Sequence, residues 1–127
     1  MTIYLGGFAH GQAALCEKET GRTPVSFEAD PDAALTAPAI ADFHRLVRAV
    51  LLRGGDAQAF ARRLLAENPD AALTCDEIGG GIVPLDPFER RWREETGRAL
   101  GILAADRHVR VVRVWYGIPE VLKEAEP

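Results

Sequence analysis

The sequence predicts an α/β fold in which helices cover both faces of a mainly parallel sheet. Short apolar runs alternate along the chain with longer segments of helical periodicity, a pattern typical of strand–helix–strand crossovers. Glycine-rich turns follow three of these runs, at Gly6–Gly11, Gly79–Gly81 and Gly117. Because ligands of such sheets bind beyond the carboxyl ends of the strands, these turns are where we expect a site.

Length and composition indicate a single domain spanning residues 1–127, with 47% hydrophobic and 27% charged residues. A net charge of −4 argues against a nucleic-acid binder, which needs a basic face. No apolar run is long enough to cross a bilayer, and the amino terminus lacks the features of a signal peptide. We therefore expect a cytoplasmic protein, with no membrane partner, in which Cys16 and Cys75 are reduced thiols.

The first part of the chain predicts a strand followed by a helix. Thr2–Leu5 is apolar and partly β-branched, and it ends at a glycine turn. Gly11 to about Glu19 has helical character and ends at a second glycine. We expect a brief strand over Val25–Glu28 and then a polar loop over Ala29–Thr36.

Two helices are predicted next. The first has Thr36 as N-cap and Pro38 in its first turn, and its apolar stripe consists of Ile40, Phe43, Val47, Val50 and Leu51. Gly54 and Gly55 end it. Asp56 is expected to cap the second helix, which ends before Asn68-Pro69.

The remaining elements continue the alternation. Ala71–Cys75 predicts a buried strand, and Asp86 with Pro87 begins the longest helix. The apolar stripe of that helix comprises Phe88, Trp92, Thr96, Ala99, Leu100 and Leu103. Residues 109–114 predict a last strand, ending at Gly117-Ile118-Pro119.

The turn after the first strand has the spacing of a phosphate loop. Residues 6–13 fit the frame G-x-x-x-x-G-K-[ST] except at the last two positions, where Gln12 and Ala13 stand. Glycines at this spacing let backbone N–H groups surround a phosphate at a helix N-terminus. The predicted nucleotide-binding residues are Gly6, Gly7, Phe8, Ala9, His10, Gly11, Gln12 and Ala13. The alternative is an ordinary glycine turn without a ligand.

Two carboxylates follow the predicted strand over 71–75. Asp76 and Glu77 stand where a phosphate-loop enzyme carries an acid that holds magnesium or activates a nucleophile. Both are therefore candidate catalytic residues.

Residues 76–84, Asp-Glu-Ile-Gly-Gly-Gly-Ile-Val-Pro, resemble the N-E-V-G-x-G-I-V-P signature of the bifunctional adenosylcobinamide kinase/adenosylcobinamide-phosphate guanylyltransferases. The similarity extends over residues 1–15 and 70–123 and includes Ile3-Tyr4-Leu5-Gly6-Gly7, Phe88, Arg90, Gly97-Arg98, Leu103-Ala104, Val109 and Gly117-Ile118-Pro119.

This resemblance implies a P-loop NTPase-like three-layer fold and a role in cobalamin biosynthesis. Family members phosphorylate adenosylcobinamide, transfer a guanylyl group to it and form homotrimers, so GTP or ATP with Mg²⁺ and adenosylcobinamide are the implied ligands. Gly6, Gly7 and Gly11 match the phosphate loop, and Glu77 matches a glutamate near the metal and phosphates. Arg98 matches the arginine of a Gly-Arg pair and is added to the nucleotide-binding candidates.

The departures from the family bear on catalysis. Gln12 replaces its lysine and Ala13 its serine, and the segment that carries the guanylylated histidine is missing. His44 lies on an apolar stripe, so we interpret it as a packed histidine. His10 is interpreted as a loop side chain facing solvent; its alternative role is to replace some of the missing positive charge.

Three hypotheses follow. The favoured one is a non-catalytic relative that binds a nucleotide, a corrinoid or a partner subunit. The second is an active adenosylcobinamide kinase in which His10 or an arginine of a neighbouring subunit compensates for the lysine. The third is a structural or interaction domain without a ligand.

Overall fold

A computed structural model describes residues 1–79 and 85–127, whose strands form one five-stranded sheet. The strand order is β2-β3-β1-β4-β5. The first four strands are parallel, and β5 runs antiparallel to β4. The strands are β1 (Thr2–Gly6), β2 (Ala39–Ile40), β3 (Ala72–Asp76), β4 (Arg110–Trp115) and β5 (Ile118–Lys123).

Helices cover both faces of this sheet. They are α1 (Gln12–Thr20), α2 (Phe43–Leu52), α3 (Ala57–Glu67) and α4 (Pro87–Ala105), with a short 3₁₀ helix over Pro31–Thr36. Asp56 caps α3 by accepting hydrogen bonds from the Gln58 and Ala59 N–H groups, and Asp86 accepts one from Phe88 N–H. Both predicted caps are thereby confirmed.

The alternation of strand side chains divides the interior into two clusters. Ile3, Leu73 and Val111 lie in the larger one, together with the buried faces of α2, α3 and α4. Tyr4 and Val112 lie in the smaller one with Leu15 and Cys16 of α1. The molecule therefore has three layers, α1, sheet and α2–α4, which confirms the predicted α/β class with a mainly parallel sheet.

The predicted start of the second helix is wrong. Ala39 and Ile40 form β2 and pair with Ala72 and Leu73, so α2 begins only at Phe43. Ile40 is fully buried in this strand, because pairing with β3 satisfies its backbone while the large cluster takes its side chain.

The expectations just upstream also change. Thr36 ends the 3₁₀ helix rather than capping α2, so the predicted loop over residues 29–36 is partly helical. The predicted strand over Val25–Glu28 is reduced to one bridge between Val25 and Ile40.

After β4 the chain reverses in a hairpin that the sequence did not predict. Tyr116 and Gly117 have φ angles of 50° and 76°, the conformation of a tight hairpin turn. The chain then returns as β5, so Gly117-Ile118-Pro119 does not end the last strand. Pro119 is tolerated because β5 is an edge strand.

Two further sequence expectations concern membranes and the signature run. None of the described helices has the length and apolar character needed to span a bilayer. The rest of the resemblance signature and of the second glycine turn lies outside the described residues. It consists of Gly80, Gly81, Ile82, Val83 and Pro84.

Candidate functional site

The parallel strands bring the predicted site residues to one edge of the sheet. Gly6 pairs with Asp76 of β3 on one side and with Val114 of β4 on the other. The Glu77 N–H donates to the Gly6 carbonyl at 2.8 Å. The turn after β1 is therefore a neighbour of the two carboxylates at the end of β3, as their positions in the sequence suggested.

Residues 7–11, here called the glycine loop, connect β1 to α1. Ala9 and Gly11 have left-handed φ angles of 59° and 95°. A Cβ atom on Gly6 would lie 2.5 Å from the Val114 carbonyl oxygen, and one on Gly11 would lie 3.2 Å from Gly117 Cα. Close backbone approach at both positions, and a left-handed turn at Gly11, thus account for the glycines.

Gln12, the residue that follows the glycine loop, is buried and bridges the loop to β3. Its side chain amide donates to the Gly7 carbonyl at 2.9 Å and to Asp76 Oδ1 at 3.2 Å. The Cys75 carbonyl lies within 3.4 Å of the same nitrogen. The amide therefore ties the loop to the strand without supplying a charge.

A cavity of about 400 Å³, the loop cavity, lies between the glycine loop and the ends of β2 and β3. Of the described residues that line it, none is a lysine or an arginine. They are Phe8, Ala9, Gly11, Gln12, Ala13, Ala14, Asp42, Thr74 and Asp76. The cavity therefore combines backbone and amide groups with two carboxylates.

Asp42 enters this cavity from the end of β2. It has a left-handed φ of 55°, and its N–H donates to Thr74 Oγ1 at 3.0 Å. The Asp42 side chain makes no capping hydrogen bond to α2. A ligand atom of each of Asp42, His44 and Asp76 lies within 4.8 Å of the other two.

His44 is buried beside Asp76, and its two ring nitrogens have different environments. Nδ1 accepts a hydrogen bond from the Asp76 N–H at 3.1 Å, and Nε2 lies 3.7 Å from Asp76 Oδ2. Burial lowers the pKa of His44 despite the opposing effect of the neighbouring Asp76 and Asp42 carboxylates. The neutral ring thus carries its proton on Nε2.

Glu77 lies on the other side of Asp76 and is paired with Arg113. The Arg113 Nη2 donates to Glu77 Oε2 at 3.2 Å, and its Nε lies 3.1 Å from Oε1. The same guanidinium lies over the Trp115 ring, 4.4 Å from its centroid. Glu77 lines a second cavity of about 450 Å³ with Arg93, Thr96 and Arg113. Among the described residues, only Asp76 lines both this cavity and the loop cavity.

His10 and Arg98 differ in their relation to the loop. The His10 ring lies 4.8 Å from the Tyr116 ring and 5.4 Å from the Trp115 ring, and its carbonyl accepts from the Gly117 N–H. His10 is therefore half-buried against the β4–β5 hairpin rather than facing solvent as interpreted. Arg98 is largely exposed and pairs with Glu95 at 3.3 Å. It is not among the described residues that line either cavity.

Asp42 and Arg113 were missed in the sequence analysis. Asp42 follows the two-residue strand β2, which the predicted helix concealed. Arg113 carries no local signal, because only the parallel pairing of β1, β3 and β4 brings it to Glu77.

Together these observations define an α/β domain with a candidate ligand site at the carboxyl edge of a mainly parallel sheet. No model of a known protein family matches the chain. A comparison with curated proteins likewise finds no match.

Proposed function

We propose that this protein binds a nucleotide, GTP or ATP with Mg²⁺, over the glycine loop and is a non-catalytic relative of the adenosylcobinamide kinase/guanylyltransferases. The observation that carries the proposal is the loop between β1 and α1. Its left-handed residues Ala9 and Gly11 lead directly into a helix N-terminus, an arrangement in which backbone N–H groups favour an anion. A P-loop NTPase-like fold and a cytoplasmic location belong to the same proposal.

The loss of catalysis is supported by the chemistry of the loop cavity. Gln12 is neutral, Ala13 offers no oxygen, and no lysine or arginine is among the cavity's described lining residues. A charge that stabilises a moving phosphoryl group commonly contributes about 3 kcal/mol or more to the transition state. His10 is held against the hairpin by Tyr116 and Trp115, which disfavours it as a substitute cation.

The role of adenosylcobinamide as a second ligand is supported by the family resemblance. The same resemblance supports a place in cobalamin biosynthesis. Adenosylcobinamide therefore enters the tests as a ligand to be added together with the nucleotide.

Calorimetric titration of GTP and ATP, with and without Mg²⁺, tests the proposal. We expect the native chain to bind nucleotide and to show no turnover with cobinamide. A Gln12→Lys/Ala13→Ser variant should bind more tightly, because it restores the charge and the hydroxyl of a phosphate loop. An Asp32→Asn variant, altered at an exposed carboxylate outside the cavity, is the matched control.

The other hypotheses predict different results. Phosphorylation of cobinamide by the native chain that disappears in Glu77→Gln would establish the active kinase. Absence of nucleotide binding by both the native chain and the Gln12→Lys/Ala13→Ser variant would support a structural or interaction domain without a ligand. Either result would overturn the proposal.

A further inference from the structure

The second cavity, between α4 and the sheet, is lined by buried polar side chains with unused hydrogen-bonding atoms. Of the three buried side-chain atoms that make no hydrogen bond among the described residues, two belong to Thr96 and Arg113, which line this cavity. Thr96 is only 1% exposed, and its Oγ1 is one of these atoms. Such groups are rare in folded proteins, because each has lost its hydrogen bonds to water. The Thr96 hydroxyl is therefore available to a ligand that enters the cavity.

Two guanidinium groups reach the same cavity, one from α4 and one from β4. Arg93 lies on α4, and its Nε donates to the Ile78 carbonyl at 2.6 Å. Arg113 lies on β4, and its Nη2 donates to Glu77 Oε2 at 3.2 Å. Its Nε lies 3.1 Å from Glu77 Oε1 but makes no hydrogen bond. Two guanidinium groups and a hydroxyl form a set of donors suited to an oxyanion.

Glu77 indicates which chemical group Arg113 accepts in this cavity. Its carboxylate lies beside the guanidinium, and 34% of each of the two side chains is exposed. Glu77 can therefore turn toward water when another carboxylate takes its place. Asp76, the other carboxylate of the lining, accepts a hydrogen bond from the Gln12 amide of the loop cavity. An incoming anion thus competes with Glu77 for the Arg113 guanidinium.

Apolar residues line the cavity between these polar groups. They are Leu5 of β1 and Leu100 of α4, and Gly97 of α4 lies beside them without a side chain. A Cβ atom on Gly97 would meet no neighbouring atom within 4 Å, so α4 leaves this part of the cavity open. A few converging polar groups among apolar walls are the ordinary composition of a small-molecule site.

We infer that the second cavity binds a small organic carboxylate. The ligand's carboxylate group would bond to Arg93, Arg113 and Thr96, and its apolar body would lie against the apolar walls. Without the ligand, Glu77 occupies the place of that group on Arg113. The inference goes beyond the proposed function and does not depend on it, because the glycine loop lines the other cavity.

Titration of the isotope-labelled full chain with benzoate, followed by nuclear magnetic resonance, tests the site. Benzamide has the same size without the charge, and it should bind about tenfold more weakly than benzoate. Phenyl phosphate should also bind more weakly, because its additional negative charge is repelled by the Asp76 and Glu77 carboxylates. Tighter binding of phenyl phosphate would overturn the assignment of a carboxylate ligand.

Three substitutions separate contacts with the ligand from structural roles. Thr96→Val removes a hydroxyl that bonds to no described residue, so the melting temperature should not fall, whereas benzoate affinity should fall about threefold or more. Arg113→Gln should lower the affinity about tenfold or more, and Arg62→Gln, at an exposed arginine of α3, should leave it unchanged. Glu77→Gln should raise the affinity, because an amide competes less well for the Arg113 guanidinium.

The carboxylate site would be overturned if benzoate bound to neither the native chain nor Glu77→Gln, or if benzoate and benzamide bound equally. Benzoate affinity unchanged in both Thr96→Val and Arg113→Gln would also overturn it. A lower melting temperature of Thr96→Val with unchanged affinity would instead assign the hydroxyl to the fold and refute its contact with the ligand. Benzoate binding by a chain that binds no nucleotide would refute the proposed function and support this site.

Discussion

At the scale of single residues, burial determines the charge state of His44. The ring is removed from water by the packing of α2, so its neutral form is favoured although Asp76 and Asp42 lie close by. Trp92 Nε1 donates to the His44 carbonyl at 2.7 Å and anchors the same residue from α4. Protonation of His44 therefore opposes folding.

This effect predicts a pH dependence of stability. The folded-state pKa of His44 lies below its unfolded value of 6.5, so between these two values the unfolded chain binds the extra proton. The free energy of unfolding should fall as the pH decreases below 6.5, by up to about 1.4 kcal/mol per pH unit. His44→Gln should remove this slope in urea unfolding experiments, and His108→Gln, at an exposed histidine, should retain it.

The titration of Glu19 should cause a separate loss of stability at lower pH, which distinguishes it from the titration of His44. Hydrogen bonds from Tyr4 and Arg110 lower the pKa of Glu19 below its usual 4.5. Its stabilising contribution is present above pH 4.5 and is lost as the pH falls further. An unchanged slope between pH 6.5 and 5 in His44→Gln would contradict the assignment to His44.

At the scale of elements, the close approach of β1 and β4 fixes the geometry of the glycine loop. Gly6 ends β1 beside Val114, and the Gly117 N–H donates to the His10 carbonyl at 2.7 Å. The loop is thus supported by β4 and the hairpin that follows it. Its position depends on backbone contacts that tolerate no side chain at Gly6.

Two alanine substitutions should therefore have opposite effects. Gly6→Ala places Cβ 2.5 Å from a backbone oxygen, and we expect it to lower the free energy of unfolding by about 3 kcal/mol. Gly101 lies on the exposed side of α4, and a Cβ added there would meet no neighbouring atom within 4 Å. Gly101→Ala should therefore raise the free energy of unfolding by about 0.5–1 kcal/mol. Urea unfolding measures both, and equal effects would refute the steric explanation.

At the scale of the whole molecule, the β5 edge of the sheet carries exposed apolar side chains. Tyr116 and Ile118 are 83% and 67% exposed, and Leu122 of β5 is 52% exposed. Edge strands with exposed apolar side chains are surfaces for association. We propose that this edge contributes to the homotrimer that the family resemblance implies.

Assembly can be measured directly by sedimentation velocity. We expect a species of three times the 13.8 kDa chain mass. Ile118→Lys should shift it to the monomer, because a buried charge at the edge opposes association. Leu52→Lys, at an exposed apolar residue of α2, is the control and should leave the mass unchanged. A native monomer would refute the assembly.

The sequence by itself determined the elements whose signals are local. Caps, glycine stops and apolar periodicity predicted α1, α3 and α4, and short apolar runs predicted β1, β3 and most of β4. The spacing of residues 6–13 and the two carboxylates at the end of β3 likewise identified part of the candidate site. Each of these signals depends on neighbours within a few residues along the chain.

Only the tertiary structure decided the strands and side chains that depend on distant partners. The two residues of β2 become a strand because β3 lies beside them, and β5 forms because the hairpin turns at Tyr116. Asp42 reaches Asp76 for the same reason, since parallel strands end at one edge of the sheet. Local sequence does not encode such contacts, because they arise from strand order and register, which are properties of the assembled sheet.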